Sequence, residues 1–150
     1  MSNTIKLKNY SDVFEEYKAH AAITPGHLIE LNSDNEVQVH VTEDGNVLPM
    51  FALEDSLQGN GIDDAYAAGD MVQVWIPGRG DIVNAILKDE ETIVIGDFLN
   101  SAGNGELKKY DAATSTLDLE KPIAVALAAL DLSSSSAASI ENTRIAVRII

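Results

Sequence analysis

The sequence contains no cysteine, which excludes a disulfide framework, a thiolate nucleophile and a cysteine zinc site. It is also poor in positive charge: 10 Lys and Arg residues stand against 24 Asp and Glu residues, for a formal net charge of -14. Because an acidic surface repels a phosphate backbone, we expect no nucleic-acid partner. Stability must come from packing, from self-association or from both.

Long hydrophobic runs are also absent. No apolar stretch approaches the roughly 20 residues that a helix needs to span a bilayer, and residues 1–4 lead into polar sequence rather than a signal-peptide core. We therefore expect no membrane partner and synthesis in a cytoplasm. The 45% hydrophobic content of the 150 residues is enough for one substantial core.

Short runs of alternating apolar and β-branched residues recur from about His27 onward, separated by Gly, Pro, Asn and Asp. This pattern is typical of strands joined by tight turns, and it predicts an all-β fold with a small barrel-like or sandwich-like body. The serine-rich stretch 133–139 predicts an exposed loop. The predicted strands are residues 27–31, 37–41, 71–76, 82–87, 92–95, 123–130 and 145–150.

An internal repeat indicates how this body is organised. Residues 26–40 match residues 96–110 at a constant offset of 70, and residues 71–76 align with residues 144–149 at an offset of 73. Two related halves would form a pseudo-symmetric barrel or sandwich. The alternative is a chance likeness between two hairpins that share turn residues. The predicted repeat halves are residues 23–76 and residues 93–150.

The first 22 residues differ from the body at 23–150 and predict an extended N-terminal arm. They hold three of the ten basic residues, interleaved with apolar and aromatic ones, as expected of a segment that adds to an acidic partner as a strand. The alternative is that this segment is simply the first strand of the body. The candidate contact residues are Ile5, Lys6, Leu7, Lys8, Tyr10, Phe14, Tyr17 and Lys18.

Five segments follow one another in a characteristic order. They are 22–31, with Ala22-Ile23-Thr24-Pro25-Gly26, then 61–70, with Gly61-Ile62-Asp63-Asp64-Ala65-Tyr66, and then 77–87, 96–105 and 123–127. Over nearly the whole chain this order resembles the head decoration (cement) proteins of tailed phages. The region of Arg79 and Gly80 and the serine-rich stretch depart from the family pattern, so contacts there are not carried over.

The resemblance implies a β-barrel-like body, usually a homotrimer, that lies near three-fold positions on the outer face of the icosahedral head. The implied partners are the major capsid protein and further copies of the chain. The implied function is stabilisation of the assembled capsid in the virion. The family has no catalytic residues and no cofactor to carry over, so we expect no enzymatic activity.

Two other classes compete with this interpretation. Gly61–Tyr66 also resembles a motif of the trimeric deoxyuridine triphosphatases, in which Asp63 would activate water and Tyr66 would stack on uracil. The spacing to Gly69 differs by one residue, and the phosphate-binding and glycine-rich C-terminal segments of that family have no match. A sugar-binding β-module would need exposed aromatic rings, whereas Trp75 lies in a predicted half-buried strand.

The remaining motifs have plain structural interpretations. His20, His27 and His40 are separated in sequence and lack the spacing of a metal site, so no metal is predicted. Residues 32–36 carry oxygen ligands but lack the glycine and distal glutamate of a calcium loop, and predict a turn. Residues 79–81 spell Arg-Gly-Asp inside a predicted hairpin turn.

Overall fold

The computed structural model describes residues 2–10, 12–112, 121–134 and 143–150; residues 135–139 of the serine-rich stretch lie outside these ranges. Strands dominate, and the predicted all-β fold is confirmed. No helix in the described ranges is long and apolar enough to cross a membrane. The strands are β1 (Lys6–Lys8), β2 (Phe14–Lys18), β3 (Ile29–Leu31), β4 (Val37–Val39), β5 (Phe51–Ala52), β6 (Met71–Trp75), β7 (Ile82–Ile86), β8 (Thr92–Ile93), β9 (Phe98–Gly103), β10 (Glu106–Lys109), β11 (Ala124–Ala126), β12 (Leu130–Asp131) and β13 (Arg144–Ile149), with one 3-10 turn at Ser56–Gln58.

The largest sheet has six strands in the order β1-β7-β13-β11-β9-β10, beside smaller sheets β2-β6-β5, β3-β4 and β12-β8. Two single parallel bridges make further connections: Leu87, after β7, pairs with Leu107 of β10 in the same six-stranded sheet, and Ala19, after β2, pairs with Val37 of the sheet β3-β4. These bridges do not extend into full strand pairing, and no sheet in the described ranges closes into a barrel. The barrel-like version of the prediction is therefore not observed.

Some strand boundaries differ from the prediction. The predicted strand at 123–130 is two strands, because the chain bends after Ala126 and β12 leaves to pair with β8. The predicted strand at 92–95 ends at Ile93, and a turn follows in which Asp97 accepts a hydrogen bond from the Val94 N–H at 2.9 Å. Apolar residues in a turn are indistinguishable by pattern from residues in a strand.

The core has two apolar clusters. The larger one surrounds Trp75 and Phe51 and includes residues of most strands in the six-stranded sheet, and the smaller one surrounds Val72 and Val74. Strand β13 shows why the chain folds this way, since its alternate residues point inward as the period of a strand requires. Trp75 is fully buried, which confirms that it packs in the core rather than stacking on a sugar.

The backbone repeats itself at the two hairpins. In β3–β4, Ile29 pairs with Val39, and in β9–β10 the residues 70 positions later, Leu99 and Lys109, form the corresponding pair. The other two pairs of β3–β4 recur at the same offset, and the second hairpin adds one pair beyond a register shift. Gly26 and Gly96 precede the hairpins with φ of 97° and 93°. These values lie in a region that glycine tolerates best, so the same turn is built twice.

The equivalence reaches beyond the hairpins to the strands before them. Strand β2 pairs with β6 as β7 pairs with β13, and β5 pairs with β6 as β11 pairs with β13. We refer to residues 13–76 as the first half and to residues 81–150 as the second half, and call two residues equivalent when they hold the same pairing position. The matched N–H to C=O bonds are Ile76–Val13 and Ile149–Asp81, Ala19–Asp70 and Leu87–Thr143, and His20–Val37 and Lys88–Leu107.

The segment predicted to be an arm belongs to these sheets. Strand β2 pairs with β6 along its whole length, and β1 pairs with the outer edge of β7. Ile5 is fully buried in the larger cluster, because its side chain points inward from the end of β1. Residues 5–8 and 14–18 are thus part of the body, as in the alternative interpretation of this segment.

Candidate functional site

The residues predicted to contact a partner begin with Ile5, which the structure places out of reach. Its carbonyl accepts a hydrogen bond from the Asn84 N–H at 2.8 Å, and its own N–H donates to Glu54 Oε2 at 3.1 Å. Leu7 is half-buried. These residues fix β1 on the edge of β7 and leave its lysines at the surface.

Four of the predicted residues form one surface, which we call the basic-aromatic patch: Lys6, Lys8, Tyr10 and Phe14. The Lys6 ammonium lies 4.7 Å from the Phe14 ring centroid, and the Lys8 ammonium lies 5.2 Å from that of Tyr10. Both distances are those of cation–π contacts. Tyr10 is 68% exposed and Phe14 is 45% exposed, so both rings are available to a partner.

A buried carboxylate positions one side of this patch. Asp81 is fully buried and accepts hydrogen bonds from the Tyr10 N–H and, at 2.8 Å, from the Gly78 N–H. Residues 77–81 form a turn, as predicted, with a hydrogen bond from the Asp81 N–H to the Gly78 carbonyl at 3.1 Å. The flanking strands β6 and β7 lie in different sheets, so the turn does not close the predicted hairpin. The carboxylate of the Arg-Gly-Asp tripeptide therefore points inward and holds the turn.

Tyr17 and Lys18 lie at the other end of β2, away from this patch. The Tyr17 hydroxyl donates to Glu15, and this hydrogen bond raises the pKa of the phenol. Lys18 pairs with Glu36 at 3.1 Å, and Glu36 also meets His20 at 2.9 Å. The bonds from His20 and then Lys18 lower the pKa of Glu36, so this corner is a surface charge network.

The residues of the nucleotide-hydrolase alternative have structural roles. Tyr66 is only 5% exposed, its hydroxyl donates to the Leu53 carbonyl at 2.8 Å, and burial raises its pKa to about 12. Its ring is therefore not free to stack on a base. Asp63 pairs with Arg144 at 3.0 Å. Asp64 caps its own turn by accepting the Gly61 N–H at 2.7 Å.

The two histidines of the first hairpin have different hydrogen-bond partners. His40 is buried with its Nδ1 at 2.6 Å from the Ser101 hydroxyl, and His27 accepts the Thr24 N–H at 3.1 Å. Burial and the nearby Arg144 lower the pKa of His27 to about 4, so the imidazole is neutral. No group of three metal-ligating side chains occurs in the part of the chain that the structure describes.

A second exposed surface was not predicted as a site. The turn after β8 exposes Val94 by 53% and Ile95 by 69%, and Phe98 at the start of β9 is 50% exposed. Large apolar side chains clustered at the surface commonly mark a contact site. The sequence does carry a signal for this surface. Val94-Ile95-Gly96 aligns with Thr24-Pro25-Gly26, and only the later of these two segments has the large apolar side chains.

Comparison with known proteins supplies the fold. No protein-family model matches the chain, and no curated protein matches it in sequence. Among solved structures, the chain is similar to the N base of the head fiber gp8.5 in bacteriophage phi29, with a TM-score of 0.58 and 15% identity. The similarity covers 93% of this chain and 95% of that one. The fold is therefore that of a phage head-fiber base.

Proposed function

We propose that this protein is a phage head decoration protein that binds the outer face of the assembled capsid and stabilises it. Its partners are then the major capsid protein and further copies of itself as a homotrimer, and its location is the virion surface. The observation that carries the proposal is the fold match to a head-fiber base over nearly the full length of both chains. The family resemblance of the five sequence segments supports it independently.

The basic-aromatic patch is the part of the surface that we assign to the coat protein. Lys6 and Lys8 bring positive charge to a chain of net charge -14, which favours an acidic partner surface. Exposed aromatic rings such as Tyr10 and Phe14 are the side chains that contribute most to interface affinity. Because β1 and Asp81 already hold the backbone in place, little conformational entropy is lost on binding.

The direct test is to mix the purified protein with heads that lack decoration and to image the product by electron cryomicroscopy. We expect added density on the outer face with three-fold symmetry. Bare heads after incubation at a large molar excess would contradict capsid binding. A higher melting temperature of decorated heads than of bare heads tests stabilisation separately from binding.

The patch itself is tested with Tyr10→Ala and Phe14→Ala together. We expect the affinity for undecorated heads to fall at least tenfold, or about 1.4 kcal/mol. The matched control is Leu57→Ala, because Leu57 is 85% exposed in the 3-10 turn and is also apolar. Equal loss in both variants, or no loss in the patch variant, would remove the patch from the capsid contact.

A further inference from the structure

The two halves of the chain meet in a contact that uses a different face of each half. From the first half comes the turn at Pro25 and Gly26, both of which are buried. From the second half come the outer edge of β7 and the start of β13: the Ile86 N–H donates to the Gly26 carbonyl at 3.1 Å, and Arg144 donates to the Pro25 carbonyl at 3.1 and 3.0 Å. We refer to this as the internal contact.

Each half also carries the equivalent of the face that the other half contributes to the internal contact. Among the described residues, these two equivalent faces are exposed. The equivalents of Pro25 and Gly26 are Ile95 and Gly96, which are exposed. A Cβ added to Gly26 would meet Arg144, Asn84 and Ile86 at 3.1 to 3.2 Å, whereas one added to Gly96 would meet no atom within 4 Å. The second half therefore has the same turn, but no atom of the described residues lies within 4 Å of the corresponding position.

The receiving face is duplicated in the same way. Strand β7 is covered by β1 and by the turn of the first half, whereas its equivalent β2 pairs only with β6 among the described residues. The equivalent of Arg144 is Met71, which is 51% exposed. Met71 lies beside Lys18, at the end of the open strand opposite to Phe14. An unpaired strand edge with apolar neighbours is a surface on which another backbone segment can dock.

At three positions the open copy is more apolar than the closed one, whereas Ile86, which donates to the Gly26 carbonyl, is replaced by Lys18. Pro25 is replaced by Ile95, Thr24 by Val94 and Arg144 by Met71. Two halves on one chain meet at high effective concentration, so their contact can be polar. Separate molecules must first lose their translational freedom, and burial of apolar area is the main source of the compensating free energy. The three apolar substitutions are those expected of a contact between chains.

A second pair of positions follows the same rule. Elsewhere between the two halves, His40 Nδ1 of the first half lies 2.6 Å from the Ser101 hydroxyl of the second half. Their equivalents are Tyr110 and Leu31. Leu31 is 46% exposed and lines a pocket of about 250 Å³ together with apolar residues that include Leu48. Tyrosine and leucine are more apolar than the histidine and serine of the closed pair.

We propose that the turn at 94–98 of one molecule docks against β2 and Met71 of a second molecule, which repeats the internal contact between chains. The occupant of the open face is thus another copy of this protein. The contact is heterologous, because it joins two different faces, and it gives a ring when the rotation between copies closes. The inference rests on the self-association in the proposed function and assigns a surface to it.

The test uses Ile95→Asp and Met71→Asp, with Leu57→Asp as the matched control, since all three residues are exposed and apolar. Sedimentation equilibrium at about 100 µM is the measurement, and circular dichroism checks the fold. We expect the wild type and the control to be oligomers and each interface variant to be a monomer, with the dissociation constant raised at least about tenfold. A monomeric wild type, or oligomeric interface variants, would overturn the proposal.

Mixing the two variants distinguishes this arrangement from a symmetric one. The Ile95→Asp chain keeps its β2 face and the Met71→Asp chain keeps its turn, so the mixture has one intact pair of faces and should form a 1:1 dimer. A mixture that stays monomeric rules out the heterologous contact. If the wild type is monomeric and Ile95→Asp alone abolishes head binding, the turn contacts the coat protein and the proposal fails while the proposed function stands.

Discussion

The turns at Gly26 and Gly96 share a backbone conformation but not an environment. In the first half the turn is buried against Arg144 and Ile86, and in the second half it stands open with Val94 and Ile95 exposed. The equivalent strands β2 and β7 differ the other way. Strand β2 of the first half is mostly exposed, whereas strand β7 of the second half is mostly buried.

This difference separates what the duplication preserves from what it changes. Three residue pairs of each hairpin and the positive φ of Gly26 and Gly96 are the same in both halves, because both halves form sheets around an apolar interior. The outward-facing side chains are free to change without loss of the fold. A surface function is therefore located by the positions at which equivalent residues differ, such as Arg144 and Met71.

The largest expected effect on stability comes from comparing a residue beside the covered strand β7 with one on the open strand β2. Ile5 is fully buried beside β7, so Ile5→Ala should lower the free energy of unfolding by about 2 to 5 kcal/mol. Phe14→Ala on the exposed β2 should lower it by less than about 1 kcal/mol. Urea denaturation of both variants, compared at equal protein concentration, measures the difference. Similar costs would mean that β1 does not anchor the body.

The second prediction compares the two turns directly. Gly26→Ala and Gly96→Ala both place a Cβ on a residue with positive φ, which costs about 1 to 2 kcal/mol in each half. At Gly26 the new methyl also meets Arg144, Asn84 and Ile86, and such overpacking costs about 1 to 3 kcal/mol more. Denaturant midpoints measured below the concentration of self-association check the ranking. Equal destabilisation would show that Arg144, Asn84 and Ile86 shift at little cost in free energy when a methyl group is added at Gly26.

The sequence could predict the parts of the fold that rest on local pattern. The hairpins at 26–40 and 96–110 were visible because turn residues and alternation recur in register. The equivalence of β2 and β7 was hidden, since Phe14–Lys18 lies on an open edge and Ile82–Ile86 lies in the interior, and the two have different polarity. The pattern of apolar residues depends on exposure as much as on backbone conformation. An exposed edge strand therefore has the same sequence pattern as an extended arm.

The candidate site was predictable in the same limited way. Alternation along residues 5–8 indicates that two faces exist but not which one meets the core, so Ile5 was grouped with Lys6 although its side chain points inward. Phe14 of β2 and Lys6 of β1 are in contact although the two strands lie in different sheets. Such neighbours are set by tertiary packing, and no local pattern encodes them.

A third prediction uses the pair His27 and Asp97, which occupy equivalent positions and accept equivalent hydrogen bonds, from Thr24 N–H and Val94 N–H. The pKa of His27 is about 4 when folded and 6.5 when unfolded, so the unfolded chain binds the proton first and stability falls as the pH falls from 6.5 to 4. Between pH 7.5 and pH 5 this costs about 1 to 2 kcal/mol. His27→Asn keeps an acceptor and should remove that part of the slope in chemical denaturation. An unchanged slope would assign the acid sensitivity to other groups.

The smallest expected effect belongs to the second-half partner of this pair. Asp97 accepts the Val94 N–H at 2.9 Å and pairs with Lys109 at 2.9 Å, and these two bonds lower the pKa of its carboxyl below 3.8. Its contribution to stability is therefore present above about pH 4 and is lost as the pH falls through the lowered pKa. Asp97→Asn retains the acceptor for the turn and removes the ion pair, which at the surface contributes less than about 1 kcal/mol. We expect a small loss at pH 7 that disappears at about 0.5 M salt, where charges are screened. When Asp97→Asn is combined with His27→Asn, the same side chain accepts the hydrogen bond in both turns. In that background, the difference in stability between Gly26→Ala and Gly96→Ala measures the internal contact alone. A loss of stability at pH 7 that persists in high salt would mean that Asp97 stabilises the turn through the geometry of its hydrogen bond rather than through its charge.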